Sequence, residues 1–152
     1  MRTCMPGPTT VGLGLTFALV GACAERQREP GSPSGDRRQS LDVPGPVRDA
    51  IRLEMRTMLG SLNDLLTAGA RGDTAAMRAA AARSGLATAV DPALEKLLPA
   101  EFLHLGMSTH RQFDQLGMAV QGGVATDSLL AGLGRLTSNC VACHATYRLG
   151  VR

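Results

Sequence analysis

From residue 41 onward the apolar positions recur at three- and four-residue steps, and no run alternates with the two-residue period of a strand. Val47, Ile51, Met55, Met58, Leu59, Leu62, Leu65 and Leu66 make one such stripe. They predict a helix over about residues 46–70, entered through Pro44 and Pro46 and ended at Gly72. Asp73 is placed to cap a second, alanine-rich helix over about 74–88, which buries little. A third helix is expected from Pro99 to Gly122, with Phe102, Gly106, Thr109, Phe113, Leu116 and Val120 on its inner face. A fourth starts with Thr126 or Asp127 as its cap and runs to about Leu149. Its inner side carries Leu129, Leu133, Leu136, Cys140, Cys143, His144 and Tyr147. Four amphipathic helices on short links predict an all-α fold, an antiparallel up-and-down four-helix bundle.

The first 43 residues follow other patterns. Arg2 and the apolar stretch from Val11 to Cys23 read as a secretory signal over residues 1–24, too short to span a bilayer. "ACA" at Ala22–Ala24 fits a cut for soluble export. "LVGAC" instead resembles a bacterial lipobox, with Cys23 lipidated and anchoring the chain to a membrane that faces the periplasm. Residues 25–43 are polar and rich in Pro, Gly and Ser, so a disordered linker is expected there. The bundle then occupies residues 44–152.

Composition sharpens this picture at one point. Aromatic residues are only 3% of the chain, with no Trp, so a small core lacks its usual large rings. Either aliphatic side chains fill it alone or a large flat group that is not protein helps. The net charge of +3 comes without a basic run interleaved with aromatics, so no nucleic-acid partner is expected.

The chemistry sits in "TSNCVACHATYR", residues 137–148. Cys140 and Cys143 are the only cysteines of the expected domain, which rules out a disulfide framework. A closed zinc shell needs four ligands and the motif offers three. A thiol-redox pair sits at the start of a helix after a strand, and here the pair lies near a helix end. These two remain as the weaker alternative, a metal-binding or thiol-redox helical protein. Cys-x-x-Cys-His is the signature of covalent haem attachment. On a helix Cys140 and Cys143 lie on nearly one face, where both can form thioethers with the vinyl groups of one porphyrin edge. His144 is then held against the ring as the proximal iron ligand. The expected cofactor is one haem c, and the macrocycle would supply the missing flat filler.

A motif on the last helix of an all-helical chain resembles cytochrome c′ and its low-spin relatives, the class II c-type cytochromes. "CVACHATYR" is similar to that family's CxxCHxxYR ending. The resemblance spans about Pro46 to Leu149. It implies a four-helix bundle with haem between the helices, often as a homodimer, with Tyr147 and Arg148 in the haem environment. It also implies that a residue of the first helix covers the distal face of the iron. Met55 is the first candidate for that sixth ligand and Met58 the second, with Leu59 and Leu62 packed against the ring. A Met ligand makes an electron carrier with an unidentified redox partner. An apolar cover leaves a five-coordinate protein that binds NO or CO, the alternative function. Neither is an enzyme. His104 and His110 read as two partly exposed histidines, weaker distal candidates, with His110 near the haem edge.

Overall fold

A computed structural model describes residues 35–89 and 96–150. The signal, Cys23 and most of the linker fall outside the described residues. The chain is mostly helical: α1 (Gly45–Ala70), α2 (Thr74–Ala82), α3 (Ala100–Gln121) and α4 (Thr126–Thr146), with a 3-10 turn at Leu86–Thr88. Two short strands, β1 (Gln39–Leu41) and β2 (Tyr147–Leu149), pair in parallel.

Helix limits follow local chemistry. Pro44 precedes α1 and Pro46 lies in its first turn, where a missing N–H costs nothing. Gly72 adopts φ 68° just past the end of α1, a left-handed conformation that glycine takes without strain. Asp73 Oδ1 accepts the N–H of Ala76 at 2.9 Å and so caps α2. Gly123, at φ 77°, ends the turn after α3 in the same way.

Four expectations need correction. The second helix stops at Ala82, not near Thr88, because the chain turns over α3 there. Asp114 Oδ2 accepts the N–H of Leu86 at 3.0 Å, and a Cβ on Gly85 would lie only 2.0 Å from Asp114 Oδ1. Neither Thr126 nor Asp127 is the cap of α4. Ala125 holds that position, and Asp127 in the first turn accepts the N–H of Ser128 at 2.7 Å. The linker expected to reach Val43 ends sooner, and α4 stops at Thr146. Gln39–Leu41 pairs with Tyr147–Leu149, and Leu41 and Val43 are buried. Their apolar side chains close over Ile51, Leu98 and Tyr147, which rewards an extended backbone at both ends.

Close packing joins α1 to α2, α2 to α3 and α3 to α4, but no comparable packing joins α1 to α4. The main core draws on all four helices and is centred on Leu65, Phe113, Leu133 and Leu136. The second cluster lies under the strands. Within the α1 stripe, Ile51 and Leu65 are buried, while Leu59 and Leu66 are 66% and 48% exposed. The inner line of α1 passes through Ser61 and Ala68 instead, so those two leucines sit at the edge of the stripe. No helix among the described residues is long and apolar enough to cross a membrane.

Candidate functional site

A cavity of about 460 Å³ opens between α1, α3 and α4, within the usual range for a small-molecule or cofactor site. It borders both cores. Cys140, Cys143 and His144 reach it from the last two turns of α4. Met55, Met58, Leu59 and Leu62 reach it from α1, and Phe102, Gly106 and Phe113 from α3. The helical period explains the convergence, since positions three and four apart share a face. A Cβ on Gly106 would meet nothing within 4 Å, so the chain's own packing does not require a glycine there. What the glycine does is widen the cavity.

The two cysteines are free thiols, Cys140 exposed and Cys143 half-buried. Loss of hydration pushes both thiols above their ordinary value, and for Cys143 the neighbouring Cys140 adds to the effect. Both therefore stay protonated near neutral pH, unlike the lowered thiol of a dithiol redox motif. His144 is exposed on the last turn of α4. Its carbonyl accepts an N–H from Arg38 at 3.4 Å, which ties the end of the helix to the segment before β1. Among the described residues no group of three or more His, Cys, Asp and Glu side chains comes together to hold a metal ion.

Tyr147 and Arg148 do not line this cavity. The helix ends before them, and the extended backbone of β2 carries them elsewhere. Tyr147 is buried and stands edge-on to Phe102, with ring centroids 5.4 Å apart, so it backs a residue of the cavity wall. Arg148 is not one turn beyond His144 on a helix. Its Nε lies 3.9 Å from Asp36 Oδ2. Hydrogen bonds from Arg38 hold the Asp36 carboxyl down at about 2, with smaller help from the Arg148 charge.

The histidines also differ from expectation. His104 is exposed and borders a separate hollow beside Glu101 and Tyr147. His110 is not partly exposed but buried, at 3%. Its Nδ1 lies 2.9 Å from the Ser84 carbonyl oxygen and its Nε2 lies 2.8 Å from Glu54 Oε1. A carbonyl only accepts, so Nδ1 carries a hydrogen and donates it. With Nε2 engaged as well, the ring has no nitrogen left for iron in this arrangement. Burial opposes the charged ring, but the hydrogen bonds to Glu54 and to the Ser84 carbonyl outweigh it and raise the His110 pKa.

Sequence reasoning missed Glu54 and Asn139. Glu54 lies on α1 three residues after Ile51 and four before Met58, an acid set on an apolar stripe. That misplaced charge was the available signal. Asn139 borders the cavity beside Cys140 and donates from Nδ2 to Ser108 Oγ at 3.1 Å, joining α4 to α3. Nothing in its sequence context marks it. Comparison with protein-family models, with curated proteins and with solved structures finds no match to this chain.

Proposed function

We propose that the chain is a class II c-type cytochrome, an exported electron carrier that works on the periplasmic side. Cys140 and Cys143 would hold one haem c through thioethers, with His144 as proximal iron ligand and Met55 as the distal one, Met58 standing second. The observation that carries this reading is the convergence of both thiols, the adjoining imidazole and both methionines on one largely apolar cavity.

The residues present fit the group. Two thiols one turn apart match the double attachment. The open side between α1 and α4 leaves room for a large flat group, which Gly106 enlarges. A protein whose aromatic content is 3% gains the ring surface it otherwise lacks. When bound, the group supplies reversible one-electron chemistry at iron.

The chain's own residues do the rest. His144 and a methionine sulfur present one nitrogen and one thioether, a ligand pair that raises the reduction potential. Leu62, Phe102 and Phe113 line the site with apolar surface, which lowers the local dielectric. The ties of α4 to α3 through Asn139 and to the strand segment through Arg38 limit movement of the helix that bears the motif.

A second reading rests on Leu59 and Leu62, which reach the same cavity from α1 and can cover the distal face without ligating. It gives a five-coordinate protein that binds CO or NO. The matured protein's absorption spectrum separates the two. Low-spin bands unchanged by CO in the reduced state, lost in Met55→Leu and kept in Met58→Leu, support the carrier. Ready CO uptake by wild type supports the gas binder. A colourless protein with no haem-positive band on a denaturing gel refutes both.

A further inference from the structure

The geometry points to His110 and Glu54 as a positioning pair that sets the rotation of α1, so that Met55 and not Met58 is the methionine turned toward the cavity's ligand. The inference rests on the carrier reading and names the device that selects its sixth ligand.

One buried imidazole joins three elements. His110 belongs to α3, its Nδ1 donates to the carbonyl of Ser84 in the turn after α2, and its Nε2 meets Glu54 of α1. Glu54 immediately precedes Met55 in the chain. A second buried tie reaches α1 from the same turn, because Ser84 Oγ donates to Ser61 Oγ at 2.9 Å. Glu54 and Ser61 lie about two helical turns apart. The axis of α1 is therefore fixed at two heights against the α2–α3 side.

Across the cavity α1 and α4 are not closely packed, and α1 meets apolar neighbours on that side, Leu129 beside Gly69 and the cluster under the strands at Ile51 and Met55. Successive helical residues are about 100° apart, so Met55 and Met58 point roughly 60° apart around the axis. A rotation of that size turns Met58 to the direction Met55 held, and the flexible side chain takes up the remaining offset of about 4.5 Å along the axis. Apolar packing is permissive of such a change, because methionine is flexible and both methionines already touch apolar neighbours. A buried ion pair adds little net stability over apolar substitutes, and register is its best-attested use. Directional bonds to an imidazole locked at both nitrogens supply the discrimination that apolar contacts do not.

The test is made on the haem-loaded protein. In wild type, Met55→Leu should abolish the near-infrared thioether-to-ferric-iron band and Met58→Leu should leave it. In a Glu54→Leu background the band should fall, with CO uptake appearing or with the residual band now lost in Met58→Leu. Glu54→Gln, which keeps an oxygen toward Nε2, should restore the wild-type pattern. Glu54 is 22% exposed in its side chain, so if the leucine variant fails to fold, Glu54→Ala gives the same readout. A Glu54 variant with native far-UV circular dichroism, an undiminished band and unchanged dependence on Met55 overturns the positioning role alone. Wild type without thioether-ligated haem overturns both this inference and the carrier reading.

Discussion

The Ser61–Ser84 hydrogen bond gives a test of how the turn after α2 is held, independent of any cofactor. Both side chains are buried, at 0% and 1% exposure, and each hydroxyl has the other as its partner at 2.9 Å. Ser84→Ala leaves the Ser61 hydroxyl shut away from water, at a cost of about 1–3 kcal/mol for an unsatisfied buried group. Ser61 can recover part of this by turning toward a carbonyl of its own helix, so about 1–2 kcal/mol is expected for either single change. The double variant removes donor and acceptor together and leaves only a small void. Its loss should therefore be no greater than that of the worse single variant, a coupling of about 1 kcal/mol. Urea unfolding followed by far-UV circular dichroism reads this directly. At a slope of about 1.5 kcal/mol/M, a single change moves the midpoint by about 1 M. Strictly additive losses, or single variants with wild-type midpoints, would refute the claim that each hydroxyl depends on the other.

Asp73→Ala should cost about 1 kcal/mol, because the carboxylate caps the short and weakly buried α2; the thermal midpoint checks it, and an unchanged value counts against the cap. The His110 pKa is raised above its ordinary 6.5 on folding. Its contribution to stability is therefore fully present below that value and is lost as pH rises through the folded-state pKa. Urea midpoints measured from acid to alkaline pH should show this decline in wild type and not in His110→Gln, and parallel curves would remove the imidazole as its source.

Much of the helical plan was legible because three long segments repeat their apolar residues with a 3.6-residue period and a fourth is rich in alanine. The end of α2 was not, since nothing in Arg83 or Ser84 stops a helix, and the turn is imposed by Gly85 packed against Asp114, far apart in sequence. The strand at Tyr147–Leu149 was illegible for a different reason. Three residues are too few to display a period, and their partner lies at the opposite end of the described chain. Of the cavity lining, Cys140, Cys143 and His144 were picked out by their spacing, and Met55 and Met58 through the family resemblance. That they share a cavity required the structure. His110 was misjudged because its neighbours on the chain, Arg111 and Gln112, suggest a wet surface. Its burial comes from an acid on another helix.

The parallel ladder between β1 and β2 has a kinetic consequence. Its partners are separated by almost the whole described chain, so its closure carries the largest loop entropy in the fold and is favoured only after the helices have gathered. The final turn of α4 therefore receives its last restraint late, after the helices that it follows are already in place.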